Sequence, residues 1–198
     1  MSERYYTEEE LDCFGFGKIG YDVRIARSVT IDNPETVYIG NHTLISDYSL
    51  ITGNVSIGDY CHIAHYTHLS GKKGITIGDF VGIGSRSTLY TENDSYRGEG
   101  LWTPCSDEYR KVEASPIVIR DFVLIGWSSM VYPGVYLCPY SIFGARSMVK
   151  GRYFSEGLFV SEGNKTAQIK GTLHEFELKC REWRRKIYGC NNDKLSMA

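Results

Sequence analysis

The sequence predicts an all-β solenoid, a triangular prism of parallel strands with one long protruding loop and a C-terminal α-helix. Three observations carry this expectation. Aliphatic or aromatic residues open a six-residue unit again and again along the chain, as in IGNHTL, ISDYSL, IGDYCH, IAHYTH, IGDFVG, IGSRST, IRDFVL and IGWSSM. Those units group in threes, so that Ile39 and Ile57 stand 18 residues apart, as do Ile119 and Leu137. A small residue often follows the opening aliphatic, and glycine suits a chain that must turn tightly there.

Each hexad reads as a short strand and a turn, and three of them close one coil. First-position aliphatics point inward and stack on the next coil about 4.8 Å away. The small or β-branched fifth-position residues (Thr43, Ser49, Cys61, Thr67, Val81, Ser87) fill the remaining interior. A two-sheet sandwich would show period two without the six and eighteen registers.

From the N-terminus, residues 1–16 form a lead-in, with a short acidic helix over Thr7 to Leu11 capped by Thr7. The prism occupies 17–170 and opens with a fainter coil at Ile19, Ile25 and Ile31. Ile57 to Ile77 is 20 residues, two more than the repeat, taken up in KKGIT. Ile77 to Ile119 is 42 residues, which leaves a polar and aromatic loop over 91–115 projecting from the stack. Long loops on rigid scaffolds usually carry function. Residues 171–198 hold an amphipathic helix over Thr172 to Tyr188, expected to pack over the open end of the prism, and a tail.

Composition narrows the function classes. Of 198 residues, 42% are hydrophobic and 23% charged, which excludes wholesale disorder. The net charge of −2 offers no basic excess for nucleic acid or an anionic membrane. No apolar run approaches the roughly 20 residues that span a bilayer. The N-terminal MSERYYTEEELD is polar and acidic, unlike a secretion signal, and the six cysteines lack Cys-x-x-Cys spacing, which together predict a cytoplasmic protein with reduced thiols.

The register also aligns exterior columns. One runs Arg27, Asp47, His65, Ser85, Trp127 and Ala145, so Asp47 and His65 are neighbours. A carboxylate beside an imidazole orients it and favours its charged form, an arrangement suited to a general base. A second column runs Leu44, His62, Gly82, Leu124 and Ile142, an apolar stripe that predicts a subunit interface with His62 near it.

This hexad pattern resembles the hexapeptide-repeat acyltransferases over about residues 17–170. The resemblance implies a left-handed parallel β-helix, a homotrimer with active sites near subunit boundaries, and acetyl-CoA as donor. In the similar galactoside and maltose acetyltransferases the loop holds a catalytic His, where this chain has Asp94. The opening YYTEEELDCFGFGKIG, the segment HIAHY and the run RSTLYTENDSYRGE are instead similar to dTDP-4-amino-4,6-dideoxyglucose N-acetyltransferases. Trp102-Thr103-Pro104 and Glu108-Tyr109-Arg110 add to that likeness. It implies that His62, Tyr66, Asp94, Tyr96 and Glu99 belong to the site, and that the acceptor is an amino sugar carried by a nucleotide, used for surface polysaccharide.

His62 or His65 with Asp47 then stands as base and orienter, and Asp94, Tyr96 and Glu99 as the acceptor-binding group. Asp94 in place of His suits an amine, which needs less activation than a hydroxyl. The same resemblance places the pantetheine arm along Trp127 and Ala145, although a small residue is usual where Trp127 stands. Phosphates of the donor would meet Lys150, Arg152, Lys165 and Lys170. No metal is expected, because His62, His65 and His68 lie along an extended coil and cannot all face one ion, which argues against a γ-class carbonic anhydrase. Transfer to a sugar hydroxyl and a scaffold without catalysis are the remaining alternatives.

Overall fold

A computed structural model of the chain describes residues 4–102, 105–162, 165–169 and 174–189. Its body is a β-helix of about seven turns. The first side of the prism stacks Ile19, Ile39, Ile57, Ile77, Ile119 and Leu137 in parallel register. The second stacks Ile25, Ile45, Ile63, Ile83, Ile125, Phe143 and Phe159. The third stacks Ile31, Ile51, Leu69, Leu89, Val131 and Val149. Nearly all these residues are fully buried and form one continuous core. The expected register is therefore observed, including the pairing of Ile77 with Ile119 across the inserted loop.

The two extra residues of KKGIT are absorbed by an irregularity between Gly53 and Val55, opposite the strand His68–Ile77. Fifth-position hydroxyls are buried but paired. Thr43 Oγ1 donates to Gly58 O at 2.9 Å and accepts from Cys61 N at 3.1 Å, while Ser49 Oγ donates to Ala64 O at 3.0 Å. Each hydroxyl thus ties one coil to the next, and its burial carries no unpaired polar group.

The second-position glycines serve a purpose other than a turn conformation. Gly40, Gly58 and Gly78 have no positive φ; a Cβ on each would lie 2.4 Å from the Oδ1 of Asp59, Asp79 and Asp121 on the following coil. Those carboxylates accept backbone N–H groups of the preceding coil, from Asn41 at 2.7 Å, Asp59 at 2.9 Å and Asp79 at 3.1 Å. Burial and the flanking carboxylates of Asp121 and Asp59 push the Asp79 pKa up.

The left-handed backbone falls instead on fourth positions, which are mostly aromatic or polar: His42, Tyr60, Phe80, Phe122 and Tyr140 along one edge, and Tyr48, Tyr66, Arg86, Ser128 and Arg146 along another. That conformation costs a non-glycine residue roughly 1–2 kcal/mol. Along the first edge the rings stack with centroids 4.5–5.2 Å apart, a contact worth about 0.5–1.5 kcal/mol per pair that offsets much of this cost.

The N-terminal end closes as expected and the C-terminal end does not. Helix α1 (Glu8–Asp12) is capped by Thr7 in a capping box with Glu10, and its Leu11 is buried in the core beside Tyr5, Tyr6 and Phe16. Helix α2 (His174–Tyr188) does not cross the open end of the prism. Its Phe176 and Cys180 pack on Phe122 and Tyr140, Arg184 reaches Asp121 at 3.2 Å, and the Tyr188 hydroxyl donates to Asp59 at 3.1 Å. A 15-residue helix spans about 22 Å, between four and five coil spacings of about 4.8 Å, and its contacts with Phe122, Tyr140, Asp121 and Asp59 lay α2 along the aromatic edge. At the C-terminal end, the strand Lys165–Ile169 pairs antiparallel with Gly157–Glu162.

Candidate active site

Two clusters of polar side chains stand on the prism, and each grows directly from the coil geometry. The first lies where the second side turns into the third. Register places His62 between Leu44 and Gly82, with Leu124 and Ile142 beyond, as the sequence predicts. Three residues further along each coil come Asp47, His65, Ser85, Trp127 and Ala145. Asp47 and His65 are indeed neighbours, with the carboxylate 3.7 Å from His65 Nε2.

Their relation differs from the one expected, because Arg4 stands between them. Its Nε donates to Asp47 Oδ2 at 2.8 Å, and its terminal nitrogen lies 3.0 Å from His65 Nε2. The guanidinium, helped by the Ser28 hydroxyl at 3.0 Å, holds the Asp47 carboxyl below the usual carboxylate range. Since an arginine only donates, His65 Nε2 is an acceptor here and its lone pair is engaged. Arg4 arrives with the N-terminal segment, whose Tyr5 bridges Ala26 and whose Arg4 carbonyl accepts from Arg27 N. No periodicity marks such a docking, so sequence reasoning missed it.

His62 is differently placed. Its Nε2 lies 3.2 Å from the Oγ of buried Ser46. Although the side chain is exposed at the surface, desolvation by the atoms packed around it lowers its pKa, aided by the nearby His65 and Arg24. Of the two imidazoles, His62 is the one whose neutral form is favoured by its surroundings, and its Nε2 meets a hydroxyl rather than a guanidinium. Tyr66 stacks on Tyr48 at 5.0 Å on the same edge, with the Arg86 guanidinium 5.9 Å from its ring. Trp127 is 59% exposed, and Ala145 is exposed beside it.

The second cluster belongs to the protruding loop, whose arms Glu92–Asp94 and Val112–Ala114 pair antiparallel. Lys72 anchors its base through Glu92 at 3.0 Å. Asp94 accepts from Arg110 at 2.9 Å, so the carboxylate is held in position by a cation on the opposite arm. Ser95 donates to Glu99 at 2.8 Å, and its carbonyl accepts from Trp102 Nε1 at 3.0 Å. Those bonds organise a turn on which Tyr96 is 75% exposed and Glu99 exposed. Arg110 gained its role only once the arms were paired; sequence spacing does not bring positions 94 and 110 together.

The structure unites the members within each cluster but keeps the clusters apart in one chain. The strand Thr88–Tyr90 of the third side separates the edge carrying Ser85 and Arg86 from the edge where the loop departs at Thr91. Lys150 lies on the loop's edge, its ammonium 4.2 Å from the Tyr132 ring, rather than beside Trp127 and Ala145. Lys170 lies outside the described residues, and the side chain of Lys165 is not described. His62, His65 and His68 fall on the second side, the edge and the third side, and no group of three metal-ligating residues occurs among the described residues.

Comparison with known proteins gives this geometry a context. A family profile described as bacterial transferase hexapeptide (six repeats) matches residues 36–71. An Escherichia coli dTDP-4-amino-4,6-dideoxy-D-glucose acyltransferase is 33% identical over 150 residues, covering 74% of this chain and 78% of that protein. AntD, an N-acyltransferase from Bacillus cereus solved with dTDP and 3-hydroxybutyryl-CoA, superposes with a TM-score of 0.87 at 31% identity, over 94% of this chain and 99% of its own. The same enzyme with a serine replaced by cysteine, bound to dTDP-4-amino-4,6-dideoxyglucose and coenzyme A, gives 0.84 at 31% identity, over 93% of this chain and 99% of its own. PerB from Caulobacter crescentus, at 15% identity and a TM-score of 0.52 over 73% of this chain and 56% of its own, shares the fold. The repeat register, the profile match and the identity across three quarters of the chain agree: this chain belongs to the hexapeptide-repeat acyltransferases, within the group of the dTDP-4-amino-4,6-dideoxyglucose acyltransferases.

Proposed function

We propose that the protein transfers an acetyl group from acetyl-CoA to the amine of a nucleotide-linked amino sugar. It acts in this reading as a cytoplasmic homotrimer serving surface polysaccharide assembly. The observation that carries the reading is the separation of two complementary clusters by one side of the prism. A histidine ridge on one edge and an acidic, aromatic loop on the next become one site when a second copy brings its loop against the ridge. The apolar column of Leu44, Leu124 and Ile142, with Leu124 44% exposed, supports such an interface. Among the described residues no helix is long and apolar enough to cross a membrane.

The chemistry is a simple exchange. The amine nitrogen attacks the thioester carbonyl, the C–N bond forms, the C–S bond breaks, and the amine's proton passes to the departing thiolate. Asp94, fixed by Arg110, accepts a hydrogen bond from the acceptor ammonium and takes or steers its proton. Tyr96 and Glu99 hold the sugar nucleotide on the loop. His62, whose neutral form is favoured, is the stronger base candidate of the two histidines, and Arg4 with Asp47 and His65 forms a fixed polar wall beside it. Trp127 and Ala145 flank the donor's pantetheine arm. The names of the relatives, an acyltransferase of dTDP-4-amino-4,6-dideoxy-D-glucose and an N-acyltransferase bound to dTDP and 3-hydroxybutyryl-CoA, support the acceptor class and a coenzyme A thioester as donor; the acetyl group is our own assignment.

The test is mass detection of product from acetyl-CoA with dTDP- and GDP-linked amino sugars and matched hydroxy sugars. Acetyl gain on an amino sugar alone supports the reading; transfer only to a hydroxyl overturns it. Asp94→Asn with undiminished turnover removes the role of that carboxylate.

A further inference from the structure

The exposed indole of Trp127 calls for an explanation, since a large apolar ring on a sheet edge has a solvation cost that a polar residue would avoid. Its neighbours supply one. Across three successive coils the facing positions read His62, Gly82 and Leu124, and three residues on, His65, Ser85 and Trp127. The middle coil therefore presents Gly82, Gly84 and Ser85, the smallest side chains of its ridge, between two histidines on one side and Leu124 with Trp127 on the other. A slot one coil deep results. Its walls rise from backbones two strand spacings apart, about 9.6 Å, which leaves room for a single extended chain of atoms once the side chains are counted. The Leu124 side chain leans over Gly82, where an added Cβ would lie 3.0 Å from its Cδ1, so the open part of the slot is beside Ser85, between His65 and Trp127; a Cβ on Gly84 would lie 2.4 Å from the backbone nitrogen of Trp127, so no larger residue fits at that position of the middle coil. The slot has one polar wall, which suits a thioester carbonyl, and one apolar wall, which suits a hydrocarbon tail.

We propose that the acyl group of the donor lies in this slot against Trp127 and Leu124, and that Trp127 limits it to two or three carbons. The inference rests on the acyltransferase reading and adds to it the residue that sets donor chain length. Physically, the indole occupies the volume into which a four-carbon acyl group would extend. A misfit of one methylene in an apolar pocket is worth roughly 10- to 200-fold in kcat/KM. A two-carbon extension against a ring held on rigid coil backbone is disfavoured at least that strongly.

The experiment measures kcat/KM for acetyl-, propionyl-, butyryl- and 3-hydroxybutyryl-CoA with one dTDP-amino sugar, using the full-length protein, Trp127→Ala and Trp127→Phe. The native protein is expected to favour acetyl over butyryl at least tenfold. Trp127→Ala is expected to move the butyryl-to-acetyl ratio by tenfold or more toward butyryl, with Trp127→Phe between. A ratio unchanged in Trp127→Ala overturns the inference, as does a native protein that uses 3-hydroxybutyryl-CoA as well as acetyl-CoA. Sizing chromatography of each variant separates the rival role: assembly lost with an unchanged ratio makes Trp127 an interface anchor and overturns the inference. Absence of turnover with every donor in the native protein overturns the transferase reading itself, a result distinct from an unchanged ratio.

Discussion

Gly126 and Gly144 occupy the same hexad position on successive coils, and alanine should be harmful at one and harmless at the other. A Cβ on Gly126 would lie 2.4 Å from Ala145 N, 2.6 Å from Gly144 C and 2.7 Å from Ala145 Cα, all of them backbone atoms of the next coil. Those atoms belong to a ladder hydrogen-bonded on both sides, so the strain cannot relax through a side-chain rotation. Overpacking in a close-packed interior costs about 1–3 kcal/mol, and a purely backbone clash belongs at the upper end. On Gly144 the nearest atom to the added carbon is Phe159 O at 3.5 Å, an ordinary contact. Neither glycine has positive φ, so Gly144→Ala should gain about 0.4–1 kcal/mol from the reduced entropy of the unfolded chain. The pair should therefore differ by about 3–4 kcal/mol. Urea unfolding at matched protein concentration measures this. With a slope of about 2 kcal/mol/M, the Gly126→Ala midpoint should fall by about 1.5 M while Gly144→Ala stays level or rises. Coincident midpoints at equal slope would refute the claim that close approach of coils, rather than turn conformation, selects these glycines.

Further outcomes follow from the site and the edges. His62 and His68 have lowered pKa values in the folded protein, so the unfolded chain binds more protons near and below the ordinary value of 6.5, and stability should fall with acidification through that range. His62→Gln should flatten this dependence in thermal melts recorded from pH 7.5 to 5. If His62 is the base, the acid limb of the rate profile should lie below 6.5 in the native enzyme and vanish in His62→Gln. Arg4→Ala frees Asp47 and His65, and the melting temperature should change little, as for other surface ion pairs, while kcat/KM shifts its pH dependence. Cys61, buried and with its pKa pushed up to about 12, should resist iodoacetamide in the native protein while exposed Cys13 reacts, as peptide mass mapping would show.

The stacking register was readable from sequence because it rests on side-chain identity at fixed intervals. Ile39, Ile57, Ile77 and Ile119 must align or the core is lost, and no local conformation competes with that requirement. The exterior columns followed from the same arithmetic, so His62 and the Asp47–His65 pair fell where expected. What stayed hidden depended on contacts without a period. Arg4 reaches the ridge from a lead-in segment, Arg110 meets Asp94 only after the loop arms pair, and α2 chooses the aromatic edge because Phe122 and Tyr140 are stacked there. The glycine reading went astray for a related reason. Turn propensity suggests that glycine sits where the chain turns tightly, whereas the stack places Tyr60 and Phe80 in the left-handed corners and reserves glycine for the passing carboxylates.

The way the long loop leaves and re-enters the prism bears on how such a protein can change over time. Leu89 and Ile117 keep the register of an uninterrupted coil, so 27 intervening residues enter and exit through a gap no wider than an ordinary corner. Beyond those two attachment points the stack meets the segment at its base, where buried Thr91 bonds Ser70 and Lys73 and Glu92 pairs with Lys72. Lengthening, shortening or exchanging the part of the loop beyond that base leaves the stacked aliphatics in place, and closure entropy rises only slowly with loop length. Under the proposed assignment, acceptor recognition is inherited as a detachable unit, while the donor ridge, built from the coils themselves, is constrained by every neighbour above and below. On that assignment the acceptor is the quick trait to alter and the donor the slow one.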